Sequence, residues 1–181
     1  MIHVRPIQRH ASEIASVATI LVAGFADRSL AWPTLADGIA EVEAHSTNNH
    51  LSLVATIDHV IVGWVSAAPQ YQQYGWELHP LVVNPPHQHQ GIGKTLIAAL
   101  CAQLTEHGAT TLFAWSDDES LSTSLGGKDL LPNPLAHLTT FSASERHAGG
   151  FYLKQGFVLC GVLPDANGRG KPDILFARRI S

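Results

Sequence analysis

Two short stretches carry residue types that could do chemistry. The first, His87 to Leu96, reads HQHQGIGKTL. Its Gly-Lys-Thr suggests a nucleotide P-loop, but that loop needs a glycine five positions before Gly93, and Gln88 stands there. The spacing Q-x-x-G-x-G, from Gln88 through Gly91 to Gly93, instead makes a tight turn into a helix. The first amides of such a helix, here those of Gly91, Ile92, Gly93 and Lys94, attract an anion. The second stretch is WELHP, in which Glu77 and His79 stand two apart. On a strand that spacing puts both side chains on one face. A carboxylate and an imidazole so placed can meet one ligand. Where the ligand is an amine that must attack, its nitrogen first has to lose its extra proton, and a carboxylate can take it. Glu77 is the candidate base, with His79 assisting; the alternative is that Glu77 is only a counter-ion to an ammonium and the proton leaves through water.

The elements that must position these groups follow from periodicity. His3 to Pro6 reads as a strand, and Ile14, Val17, Leu21 and Phe25 recur at helical spacing behind it. A second helix is predicted from about Leu35 to Ala44 with its acidic residues facing water. The β-rich runs Leu51 to Ile57 and Val60 to Ala67 flank Asp58-His59, a two-residue hairpin signal. A strand from Trp76 to Val83 ends at Asn84-Pro85-Pro86, where prolines cannot join a ladder. A helix from Gly91 to His107 and a strand from Thr110 to Trp115 follow, so the glycine turn lies inside a βαβ unit. A helix over Ser144 to Gln155 and strands at Phe157 to Leu163 and Asp173 to Arg179 complete the chain. No repeat or linker divides it, which predicts a single domain over 1–181.

Composition narrows the partners. The chain has 181 residues and a net charge of −4, with no basic run, which argues against nucleic acid and favours a cationic ligand. The amino-terminal stretch lacks the order of a signal peptide, and no uncharged stretch spans a bilayer, so the expectation is a soluble cytoplasmic protein without membrane contact. The 11 histidines include no H-E-x-x-H pattern, and no metal site is predicted. Cys101 and Cys160 sit among apolar residues and read as buried thiols rather than nucleophiles.

A strand followed at once by Q-x-x-G-x-G at a helix start, with F-Y-x-x-x-G-F later, resembles the GNAT superfamily of acetyl-CoA-dependent N-acetyltransferases. PQYQQYGWELHPLVV, SDDESLSTSL, FYLKQGF and PDANGRGKPDI are similar to blocks of the aminoglycoside 6′-N-acetyltransferases within it, and AWP at Ala31 to Pro33 fits the same subgroup. The resemblance implies an α/β GNAT fold, with a mixed, mostly antiparallel central sheet whose central strands splay, flanked by helices. It implies direct acetyl transfer from acetyl-CoA to the 6′-amine of an aminoglycoside in a ternary complex, with coenzyme A as product, antibiotic resistance as the role and a homodimer as the assembly. The alternative acceptor is another amine: a polyamine, a small metabolite or a protein lysine.

By the same resemblance Leu81, Val82 and Val83 run along the pantetheine arm, the amide of Leu81 serves the oxyanion, and Tyr152 protonates the departing thiolate. Gln88, Gln90, Gly91, Ile92, Gly93, Lys94 and Thr95 form the pyrophosphate cradle, with Gln88, His89 and Gln90 where many relatives carry arginine or lysine. Asp117 and Asp118 match a D-D block that draws a polycation, and Trp32, Tyr71 and Tyr74 supply flat walls for sugar rings. Many relatives have His-Pro and a glutamate before the Phe-Tyr; this chain has His147-Ala148-Gly149-Gly150, whose glycines are expected to loosen the helix start.

Overall fold

The computed structural model describes residues 1–26, 31–145 and 147–180. They form two compact units, Met1–Thr110 with Ile180, and Thr111–Arg179.

In the first unit four strands, β1 (Ile2–Pro6), β2 (Leu51–Ile57), β3 (Val60–Tyr71) and β4 (Gly75–Val83), pair antiparallel in chain order. Asp58 and His59 both adopt positive φ, 49° and 66°, so β2 and β3 are joined by the mirror-image turn that matches strand twist. Residues 52–56 of β2 are buried whichever face they occupy, because helices cover both sides. On one side lie α1 (Ala11–Phe25) and α2 (Leu35–Ala44), which bring Ile14, Val17, Leu21 and Val42 against Val54, Trp64 and Val82. On the other lies α3 (Ile92–Glu106). There a Cβ on Gly63 would sit 3.1 Å from Ile92 Cγ2 and 3.2 Å from Leu96 Cδ1, so only glycine lets helix and strand approach this closely.

Local chemistry fixes the helix starts. Thr34 and Asp37 form a reciprocal capping box at α2: the Asp37 amide donates to Thr34 Oγ1 (3.2 Å) and the Thr34 amide to Asp37 Oδ2 (3.0 Å). The His10 cap of α1 makes no side-chain bond, and that end is tied instead by Arg5, whose Nη2 and Nη1 donate to Glu13 at 2.7 and 2.9 Å.

One irregularity in β4 sets the rest. Val65 pairs with Leu81 and Ala67 with Leu78, so His79 and Pro80, joined by a cis peptide, together oppose Ser66. Leu78 and Leu81, three apart, therefore share a face. Glu77 and His79 stand on the side of α2, and the strand changes face immediately after them.

The second unit holds β5 (Thr111–Asp117), β6 (Val158–Leu163) and β7 (Asp173–Arg179) in the order β5-β7-β6, both pairings antiparallel, with short helices α4 (Pro134–Leu138) and α5 (Ala148–Lys154). Helix α5 is shorter than the predicted Ser144–Gln155. His147 is extended and caps it, accepting from the Gly149 amide at 2.9 Å through Nδ1. Nor are the glycines simply loosening: a Cβ on Gly149 would fall 2.7 Å from Phe176 Cζ. The thiols depart from expectation too. Cys160 is exposed and Cys101 half-buried, because both occupy outward positions of apolar-rich segments. Among the described residues no helix is long and apolar enough to cross a membrane.

Candidate active site

Glu77 and His79 line one pocket of about 300 Å³ in the first unit, together with His45, His50, Ala68 and Gln70. The strand spacing thus brings both into one cavity. Behind them stands Glu41. Its Oε1 accepts from His45 Nε2 at 3.1 Å and from His79 Nε2 at 3.3 Å, and Trp32 adds a further hydrogen bond. A carboxylate only accepts, so each Nε2 carries a proton and donates it to Glu41. The hydrogen bonds from His45, then from His79, hold the Glu41 carboxyl far below the usual carboxylate range despite its partial burial.

Glu41 corrects the expectation that the acids of α2 face water. Glu43 does; Glu41 is half-buried because it sits one helical turn before His45 and faces β4. The sequence signal was Glu41-x-x-x-His45, an i,i+4 pair on one helix face, and it was passed over. His50 was missed as well. It accepts or donates at Thr47 Oγ1 (2.8 Å) through Nδ1, and burial, then the neighbouring His45, push its pKa down. Trp32 stands beside the same cluster, its ring centroid 4.9 Å from Phe25 and 5.9 Å from His79. Tyr71 and Tyr74, at the β3–β4 turn, are 70% and 50% exposed.

The glycine turn lies at the other end of β4. Gly91 is the left-handed cap of α3 (φ 83°), with nothing within 4 Å of where a Cβ would project. The turn is braced from within: Gln88 Nε2 donates to the Val83 carbonyl (3.0 Å), Gln90 Nε2 to the Pro86 carbonyl (3.2 Å), and the Thr95 amide and hydroxyl both return to the Gly91 carbonyl. Thr95 therefore ends the run of amides left for a ligand. Lys94 is exposed, Ile92 is buried under the sheet, Val82 is core, and Leu81 and Val83 are half-buried.

In the second unit Asp118 is fully buried, and its oxygens accept from the amides and hydroxyls of both Ser122 and Thr123 at 2.6–3.2 Å. Its carboxyl is committed to its own loop. Asp117 lends its main-chain carbonyl to His147 Nε2 at 3.0 Å. Tyr152 packs between Phe157 and Phe176 (5.2 and 5.8 Å between centroids), and burial, with the charge of Asp117, raises its pKa strongly.

The sequence model of the Acetyltransferase (GNAT) family matches residues 17–123, more than half the chain. The protein is a GNAT acetyltransferase. Its backbone superposes on an aminoglycoside 6′-N-acetyltransferase solved with coenzyme A, with TM-score 0.90 and 30% identity over 99% of this chain and 97% of that one. The aminoglycoside 6′-N-acetyltransferase of Enterococcus faecium gives 0.89 and 28% over the same shares. An aminoglycoside 6′-acetyltransferase of type Ii gives 0.74 and 26%. No curated protein matches. GNAT acetyltransferases use acetyl-CoA, and the residues here suit it: an open glycine turn at the start of a 15-residue helix is a fit for a pyrophosphate.

Proposed function

We propose that this GNAT acetyltransferase acetylates the 6′-amine of aminoglycosides. The observation that carries the reading is the pocket beside β4: an amine acceptor is met there by Glu77, with ionised Glu41 behind it, and among the described residues no lysine or arginine lines the cavity. Full-length likeness to aminoglycoside 6′-N-acetyltransferases supports the same acceptor.

Bound acetyl-CoA supplies the acetyl thioester. Gly91, Ile92, Gly93 and Lys94 offer main-chain N–H groups to its pyrophosphate, and Gln88 and Gln90 hold that turn in shape. Glu77 attracts the substrate ammonium and takes its proton, directly or through water, so that the nitrogen can attack. Glu41 fixes the orientation of His79 beside it. The amide of Leu81, next to the bulge, would donate to the thioester oxygen on which negative charge builds. Tyr152 would protonate the departing thiolate, and its raised pKa would keep the phenol protonated until then. Homodimer assembly, a cytoplasmic location and a role in resistance belong to the same proposal.

The test is thiol release from purified protein given acetyl-CoA with kanamycin or with a 6′-hydroxyl aminoglycoside. Release with kanamycin alone supports the reading. Release with spermidine in place of both drugs assigns a polyamine instead, and equal release with both drugs removes the 6′-position.

A further inference from the structure

The chain's histidines are unevenly used. Most lie on turns and loops, but three of them, His45, His50 and His79, line the pocket beside β4. The nearest nitrogens of two converge on one carboxylate oxygen, at 3.1 and 3.3 Å, and the three donor atoms of Glu41, His45 and His79 lie within 4.8 Å of one another. Two imidazole nitrogens and one carboxylate oxygen form a borderline donor set that suits zinc-class ions, and three protein ligands with an open position is how accessible zinc sites are built. Ligands ~2.0–2.1 Å from such an ion in a tetrahedral arrangement stand roughly 3.3 Å apart, the spacing the two Glu41 contacts already have.

We propose that Glu41, His45 and His79 form a three-ligand site for a zinc-class divalent ion, with its remaining coordination open to the pocket that Glu77 lines. Two elements build it. Helix α2 presents Glu41 and His45 one turn apart, and β4 presents His79 on the side facing them. Binding displaces only the two hydrogen bonds within the cluster. Each Nε2 gives up its proton, to the other ring nitrogen or to solvent, and the ion takes the freed lone pairs. His45 Nδ1 is buried with no hydrogen-bond partner, so no existing contact at that nitrogen is broken. His79 is the most exposed of the three ligands, its side chain 49% exposed, and has room to close the last gap. Among the described residues no lysine or arginine lines the pocket to repel a cation. If the proposed amine site is correct, the same ion occupies the space the ammonium needs, and acetyl transfer is inhibited reversibly.

The experiment is titration of the full-length, tag-free chain with Co²⁺, followed by visible absorption. One equivalent should give the intense bands of four- or five-coordinate cobalt, and added Zn²⁺ should bleach them. Glu41→Gln and His45→Gln should each weaken binding ~10-fold or more, a loss at least as large as removal of an outer-shell partner gives. Far-ultraviolet circular dichroism checks that each variant is folded, and Glu41→Gln, which keeps size and shape, serves if His45→Gln does not fold. His59→Asn, on the distant β2–β3 turn, should change nothing. Weak six-coordinate absorption only, or binding that both cluster variants leave intact, overturns the site. The titration needs no acceptor or acetyl-CoA, so it stands or falls apart from the aminoglycoside assignment.

Discussion

Two buried-side carboxylates of this protein are used in opposite ways. Asp118 is closed off by four donors, all from residues four and five places along the same loop. Glu41 accepts from two imidazoles that themselves line a cavity, one from its own helix and one from β4. Both carboxyls have lowered pKa values. For Asp118 burial pushes upward, and the Thr123 hydroxyl with the Ser122 and Thr123 amides outweighs it; for Glu41 the histidines do the work. The origin of the donors separates the two. Local backbone and hydroxyl donors make a loop rigid, whereas titratable donors brought from a distant strand leave the carboxylate next to solvent and to a ligand.

The comparison breaks most visibly at the pocket. Glu77→Gln is expected to lower kcat/KM for the amine by ~10²-fold or more, the range for loss of a general base, with coenzyme A release as the assay. Unchanged turnover would leave the pocket without a base and reduce Glu77 to one more surface carboxylate. At Asp118 the expectation is reversed: Asp118→Ala should cost about 2–3 kcal/mol of stability in urea unfolding while KM for the amine holds steady. A raised KM at unchanged stability would make Asp118 a ligand. Its contribution is present above the ordinary carboxyl pKa of ~3.9 and is lost as pH falls through the lower folded value.

The glycine turn should respond in between. Gly91→Ala meets no neighbour but must hold φ near 83°, which costs about 1 kcal/mol and should weaken coenzyme A binding measured by calorimetry. The smallest effect is at His147. Burial, opposed by Asp118 and the Asp117 carbonyl, lowers its pKa, so it is neutral when folded and more readily protonated when unfolded. Its stabilisation is complete above pH ~6.5 and declines below it. His147→Gln should flatten the melting temperature between pH 7 and 5.5; an unchanged slope would place the titration elsewhere.

The glycine turn was legible because its parts are contiguous: Gly91, Gly93 and the helix behind them lie within a few residues, and the signal and the geometry are the same object. The β2–β3 hairpin was legible for the same reason. The failures share a cause. α2 was read as a surface helix from its own acids, yet Glu41 is decided by His79, 38 places on. Asp118 was read as an open charge, yet its loop folds back over it. The α5 start was set too early because a histidine cap has no sequence signature of its own.

By itself the sequence determined the alternation of strands and helices, the glycine turn at the start of α3, and the face shared by Glu77 and His79, since each depends on periods of two or 3.6 residues. Only the tertiary structure decided which carboxylates face the pocket. The placement of α2 beside β4 brings His79 to Glu41, and whether a charge is a ligand or a brace then depends on which donors the fold carries to it from far along the chain.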